Sequence, residues 1–198
     1  IYEYSGNKLL KIIDGKDDYI RHIYTGNLIT EIQRVHWSGN YTTQLKYDSE
    51  NRLSETIINF NDSKIYTKYA YSDGKIEFKE YSNSNYSEDF LTRTGTYYLD
   101  SKGNIKKRES YYKGNLQRTT EYTFDDQNNA FKDVVGLHPI FFGLGSVINN
   151  TTSMIEYNSK GEKISDVGAT FTYNNEGYPI SLINLNNNKR NSEVFYTY

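Results

Sequence analysis

The side chains able to do chemistry are sparse in this sequence. The three histidines, His22, His36 and His138, stand far apart with no His-x-His or His-x-x-x-His spacing, and there is no cysteine. A transition-metal site needs several such ligands brought together, so none is expected. The runs DGKDD from Asp14 and FDDQNN from Phe124 offer oxygen ligands to a hard cation. Neither has the Asp-x-Asp-x-Asp-Gly order and distal Glu of a calcium loop, and turn chemistry accounts for both. Ser146, in GLGSV, lacks the Gly-x-Ser-x-Gly elbow of a nucleophilic serine and the Lys of a phosphate loop. A glycosidase pair of carboxylates is defined by separation in space, not along the chain, so a glycan-acting hydrolase or carbohydrate-binding protein using the concave face of a curled sheet is kept as the alternative to a non-catalytic binding or structural module. No catalytic residue, metal ligand or cofactor is assigned.

The positive signal is aromatic. Trp37, the single tryptophan, precedes a Ser38-Gly39-Asn40 turn and has His36 and Tyr41 beside it. Rings at a hairpin tip can make a flat stacking surface for a sugar or a peptide, and His36, Trp37 and Tyr41 are the candidate ligand-binding residues. The structural expectation for the same indole is a ring folded over the sheet edge to cover apolar surface, and that is the favoured one.

These residues need a scaffold, and the sequence spells it repeatedly. The stretches YEYSGNKL, HIYTGNLI, LKYDSENRL, YAYSDGKI, YYLDSKGNI, YTFDDQNNA, IEYNSKGEKI and FTYNNEGYPI share one pattern: an aromatic or Leu, then Asp, Asn or Ser, a short polar run, Gly or Asn, and a returning Ile or Leu. Their anchors are Tyr4, Tyr24, Tyr47, Tyr71, Leu99, Phe124, Tyr157 and Tyr173, with Tyr198 closing the chain. Asp, Asn or Ser at a turn entry can accept hydrogen bonds from the turn amides, and Gly or Asn near the exit tolerates positive φ, which predicts bulged hairpins. Between anchors, alternation such as Ile65, Thr67, Tyr69, Tyr71 against Tyr66, Lys68, Ala70 has the period of two of half-buried strands. Further turns at Asp14, Ser38, Asn61 and Lys113 bring the expectation to about sixteen short strands in sequence. The fold class predicted is all-β, an antiparallel meander of repeated hairpins in a large curled sheet or open barrel-like roll. A single domain over 1–198 is expected.

One segment breaks the rhythm. Between Phe124 and Gly145 the apolar residues Phe131, Val134, Val135, Leu137, Ile140, Phe141, Phe142 and Leu144 follow mixed helical spacing around Pro139. A short helical insert near 131–144 is expected, with Phe141 and Phe142 packed against the Tyr-lined side of the sheet.

Composition excludes several classes. Lys plus Arg number 23 against 25 Asp plus Glu, for a net charge of -2, with no concentrated basic stripe, so a nucleic-acid partner is not expected. Hydrophobic residues make up 36%, and 21 tyrosines supply most of the aromatic content, so a thin core of amphipathic rings is expected. No apolar run approaches the roughly 20 residues of a membrane-spanning helix. A transmembrane barrel is disfavoured because strands such as NIKKRESYY carry charge on both faces. Asn-x-Ser/Thr triplets begin at Asn40, Asn61, Asn85, Asn149 and Asn150, as chance provides in so Asn-rich a chain.

The Tyr47-Asp48 pair and its substituted forms Tyr157-Asn158 and Tyr173-Asn174 make the chain resemble the YD-repeat proteins. More narrowly, it resembles the YD-repeat-like secreted lipoproteins of Bacteroidetes. The resemblance rests on FDDQNNAF, the apolar insert VVGLHPIFFGL, the Asn149-Asn150 pair and the closing YNSKG and YNNEG hairpins. Ala130 stands where that family's segment usually has Pro. The resemblance implies a β-rich protein of the periplasm or cell surface, with a lipid anchor upstream of Ile1 and no known activity. On this basis the expectation is a monomeric, non-catalytic binding or structural module whose partner is a carbohydrate or protein at the cell surface.

Overall fold

The computed structural model describes residues 1–60, 63–84, 90–142, 145–186 and 189–196, and leaves out the side chains of Phe60, Ser84 and Phe142. The strands are β1 (Tyr2–Ser5), β2 (Lys8–Ile13), β3 (Tyr19–Thr25), β4 (Leu28–Val35), β5 (Tyr41–Tyr47), β6 (Leu53–Phe60), β7 (Ser63–Ser72) and β8 (Lys75–Ser84). They continue as β9 (Phe90–Leu99), β10 (Ile105–Tyr112), β11 (Asn115–Phe124), β12 (Thr151–Asn158), β13 (Lys163–Tyr173), β14 (Pro179–Asn186) and β15 (Lys189–Phe195). Among the described residues these fifteen strands, one fewer than the repeat predicts, hydrogen-bond in strict chain order from β1 to β15. The result is an all-β antiparallel meander in one open sheet. Tyr198, the Asn61 turn, the Asn85 triplet and Leu144 lie outside the described residues.

The repeat has a mechanical meaning at each hairpin. In β5–β6 the register runs Leu45↔Thr56, Lys46↔Glu55, then shifts to Tyr47↔Leu53. The same shift precedes the aromatic anchor at Tyr4, Tyr24, Phe124, Tyr157 and Tyr173. A bulge of this kind increases local twist and re-aims the side chain beside it. The turn entry works as its residue type predicts: Asp48 Oδ1 accepts the amides of Glu50 and Arg52, both at 2.9 Å. Asp100 does the same for Lys102 and Asn104 at 2.8 and 2.9 Å, and Asn158 for Lys160 and Glu162 at 2.9 and 3.0 Å. The turn exits need a left-handed residue, met by Asn51 at φ 59° and Gly103 at φ 88°.

The chain divides into two compact units, the first comprising Ile1–Tyr71, Glu77–Thr94 and Asp133–Leu137. Its core holds the residue that returns from each turn: Leu9, Ile29 and Leu53 are fully buried. The anchoring tyrosines link these positions. The Tyr24 hydroxyl lies 3.2 Å from the Leu9 carbonyl, Tyr47 donates to Ile29 at 2.6 Å, and Tyr71 donates to Leu53 at 3.0 Å. Each ring thus reaches back to the preceding repeat, burying its face while its hydroxyl finds an acceptor. Burial pushes the Tyr47 and Tyr71 phenols up to about 12. Segment 133–137 covers the turns at the start of this unit: the Val135 amide donates to Asn7 at 3.0 Å, and the Tyr24 hydroxyl is also 3.3 Å from the Val135 carbonyl. Gly136, at φ +77°, lies so close that a Cβ would meet the Asn27 carbonyl oxygen at 2.8 Å.

The second unit comprises Ser72–Ile76, Gly95–Lys132 and His138–Tyr198. Ile76, Ile105 and Pro179 are its buried counterparts of the returning residue. The helical part of the insert is shorter than expected: α1 spans only Pro139–Phe142. Pro139 opens it, as Pro favours the first helical position. Residues 130–133 form a turn instead, in which the Phe131 amide donates to Asn129 Oδ1 at 2.9 Å. The Phe141 ring is half-buried and meets His138 edge-on, with centroids 5.9 Å apart. The Phe142 side chain lies outside the described residues.

Candidate functional site

The candidate residues sit on the connection between β4 and β5. Its backbone closes tightly, the Gly39 amide donating to the His36 carbonyl at 2.9 Å and the His36 amide to Asn40 Oδ1 at 3.3 Å. A second loop holds it from the side. The DGKDD turn between β2 and β3, closed by the Asp14 amide donating to the Asp18 carbonyl at 2.9 Å, aims the Asp18 carboxylate at this hairpin. Asp18 Oδ1 accepts the Trp37 amide at 3.0 Å, and Oδ2 lies 3.7 Å from His36 Nε2, an ion pair whenever the imidazole is protonated. His36 Nδ1 is 2.7 Å from Ser38 Oγ.

Against the favoured expectation, the indole does not fold over the sheet. Trp37 is 83% exposed. With its amide held by Asp18, Trp37 presents its ring to water beside the imidazole, with centroids 5.3 Å apart and planes 43° apart. The third candidate, Tyr41, is half-buried at the start of β5, its ring centroid 5.7 Å from the Arg34 guanidinium. His36 and Trp37 are therefore brought together, while the contact given for Tyr41 is with Arg34.

Two shallow recesses flank this hairpin. One, of about 270 Å³, is bordered by Asp14, Asp18, Tyr19, Ile20, Arg34 and His36. The other, of about 240 Å³, is bordered by Gln33, Arg34, Asn40, Tyr41, Thr42 and Asn59. Arg34 borders both. Sequence reasoning passed over Arg34 and Asp18: the first was one charge on a strand, the second one turn carboxylate among three. The nearness of DGKDD to the Trp37 turn follows only from the β3–β4 pairing, in which Tyr19 lies opposite Val35.

The other candidates resolve as structure. Ser146 is buried, donates to Asn104 Oδ1 at 2.5 Å and accepts the amides of Ile148 and Asn149 at 2.9 and 3.0 Å. Asn104 Nδ2 donates to Asp100 Oδ2 at 2.9 Å and to Asn149 Oδ1 at 3.1 Å. Asn150 Nδ2 donates to the Asn128 carbonyl at 3.0 Å and to Asp125 Oδ2 at 3.2 Å, and Tyr173 donates its phenol to the same carboxylate. Asn149 and Asn150 thus tie the chain after the insert to the residues before it and to the β9–β10 turn through buried amides. A third recess, of about 260 Å³, includes Asp100, Lys102, Asn104, Asp125 and Asp126. Burial opposes the ionised form of Asp100, but hydrogen bonds from Asn104 and the turn amides outweigh it and hold the carboxyl below its usual range. Lys102, paired at 2.6 Å, does the same to Asp126. A glycosidase acid needs the opposite shift. Among the described residues no helix is long and apolar enough to cross a membrane.

No family model matches this chain, and no curated protein matches it. Among solved structures it is similar to a porin-like protein from Bacteroides vulgatus, at TM-score 0.53 and 15% identity over 100% of this chain and 91% of that one. A porin-like protein from Bacteroides uniformis aligns at TM-score 0.36 and 12% identity, over 98% of this chain and 84% of that one. The first likeness establishes the shared β architecture.

Proposed function

We propose that the protein is a non-catalytic binding module of the bacterial envelope, a YD-repeat-like lipoprotein held at the periplasmic or outer face by an anchor upstream of Ile1. His36, Trp37 and Tyr41 form its ligand-contacting surface, and a cell-surface carbohydrate or protein is its partner. One observation carries this reading: the single indole is 83% exposed on a turn whose backbone is fixed from two sides. An exposed indole offers a flat face on which a ligand can stack, and a turn whose backbone is already fixed loses little further freedom when it does. The fold likeness to a porin-like Bacteroides protein supports the envelope setting.

The test is fluorescence, for which Trp37 is the sole indole reporter. Native emission is expected to be red-shifted and quenched by iodide, and to shift to the blue when a panel of surface glycans and peptides includes the ligand. Binding of a ligand found in this way, followed by calorimetry because the variant has no indole, is expected to disappear in Trp37→Ala with the melting temperature unchanged. Emission already blue, protected from iodide and unmoved by every ligand would overturn the reading.

A further inference from the structure

We infer that Asp14-Gly15, in the DGKDD turn between β2 and β3, is a site of spontaneous aspartate isomerisation that releases the Trp37 turn; this goes beyond the binding role proposed above and needs no ligand. The sequence has two Asp-Gly pairs, Asp14-Gly15 and Asp73-Gly74, and no Asn-Gly pair. Glycine matters here because a side chain on the following residue would shield its own amide nitrogen, which is the nucleophile. The Gly15 nitrogen attacks the Asp14 side-chain carboxyl carbon and forms an N–Cγ bond. The amide proton and the carboxyl OH leave together as water, closing a cyclic imide. Water then adds back to the imide. Breaking the new N–Cγ bond restores aspartate, whereas breaking the original peptide bond leaves Gly15 linked through the Asp14 side chain. One water is lost and one regained, and nothing is oxidised or reduced.

The structure separates the two pairs. Asp14, Gly15, Asp73 and Gly74 are all exposed, so water reaches both sites. They differ in restraint. Residues 14–18 join β2 to β3, and among the described residues neither the Asp14 carboxylate nor the Gly15 amide has a hydrogen-bond partner. Only Asp73 and Gly74 separate β7 from β8, and the Gly74 carbonyl accepts the Leu99 amide at 2.8 Å. Turning the Gly74 nitrogen onto the Asp73 carboxyl disturbs that hydrogen bond and the end of a hairpin; turning the Gly15 nitrogen onto Asp14 breaks neither. Asp14 is the reactive one.

Its turn is also the one that holds the indole's backbone. The ends are fixed by the Ile13↔Tyr19 pair, and the Asp14 amide closes on the Asp18 carbonyl at 2.9 Å. Asp18 in turn accepts the Trp37 amide at 3.0 Å and lies 3.7 Å from His36 Nε2. Isomerisation moves the Asp14 Cβ into the main chain, so the loop gains a methylene between fixed ends. The closure on Asp18 is lost, and its carboxylate no longer aims at Trp37.

The experiment stores the protein warm at neutral pH for weeks. Peptide mapping with enzymatic methylation of isoaspartyl groups counts isomer at each site, and hydrogen exchange followed by NMR reads the Trp37 amide. Isomer is expected to accumulate at Asp14 at least about fivefold faster than at Asp73, the factor that one restraining hydrogen bond of about 1 kcal/mol is worth. Exchange at the Trp37 amide should quicken several-fold in step with it. Asp14→Ser, which has no carboxyl to close the imide, should keep the melting temperature of the parent and its Trp37 protection throughout. Equal or faster isomerisation at Asp73, or none at Asp14, overturns the assignment of the site. Isomer at Asp14 with unchanged Trp37 exchange, or the same loss of protection in stored Asp14→Ser, overturns the release of the turn.

Discussion

Replacing Tyr24, Tyr47 and Tyr71 by Phe, singly and together, tests the origin of the repeat. Each change keeps the half-buried ring and deletes one hydroxyl that contacts the carbonyl of Leu9, Ile29 or Leu53, at 3.2, 2.6 and 3.0 Å respectively. A hydrogen bond of this kind contributes roughly 0.5–1.5 kcal/mol net, with more lost where the acceptor is left buried and unpaired. Tyr47, with the shortest contact, belongs at the top of that range. The three hydroxyls serve different carbonyls, so the triple variant should lose roughly 2–4 kcal/mol. For a chain of this length that corresponds to a melting temperature lower by about 5–15 °C. Urea unfolding followed by circular dichroism measures it, and the alkaline limb adds a second readout. The folded-state pKa values of Tyr47 and Tyr71 are raised to about 12, above the roughly 10 of a free phenol. The stabilisation from these groups is therefore complete below pH 10 and is lost as pH rises through 12. Wild-type urea midpoints should fall across that window, and those of the triple variant should fall less steeply. A triple variant within about 0.5 kcal/mol of wild type would refute the idea that the tyrosine hydroxyls link one repeat to the next.

Three further outcomes are expected. Burial pushes the His22 and His138 imidazoles down to about 4, so stability is complete above the free value near 6.5 and is lost as pH falls from there toward 4; His22→Leu, which removes a buried Nδ1 with no hydrogen-bond partner, should flatten that acid limb without loss of stability at neutral pH. Gly136→Ala places a Cβ at 2.8 Å from the Asn27 carbonyl oxygen at a left-handed φ, and differential scanning calorimetry should show it destabilised by at least about 1 kcal/mol; an unchanged transition would mean that segment 133–137 does not rest on the turns of the first unit. Asn104→Ala strips partners from Asp100, Ser146 and Asn149, and chemical denaturation should show a loss of roughly 2 kcal/mol or more, the cost of unsatisfied buried polar groups.

What the sequence by itself determined is local. Period-two alternation set the strands, and Asp48, Asp100, Asn158 and Asn174 close their turns through their own side chains because an Asx residue reaches amides two and four positions on. The spacing of anchors was legible too: Tyr157 and Tyr173 lie closer together than the others because they close consecutive turns, while the earlier anchors close every second one. The insert was legible as an interruption but not as a structure, since its apolar residues suit a helix and its Gly and Asn positions a chain laid against other backbone. Tertiary contact decided that: the Tyr24 hydroxyl meets the Val135 carbonyl across 111 residues, and Asn149 and Asn150 bury amides whose partners lie on distant turns. The candidate site divides the same way. His36, Trp37 and Tyr41 stand out by residue type, but the outward indole depends on Asp18 reaching over from the neighbouring hairpin, and the Arg34–Tyr41 contact on the register that sets those two residues opposite one another. Residue type and spacing carry turn and strand energies, which are short-ranged; the direction of an exposed ring is set by whichever groups the fold brings beside it.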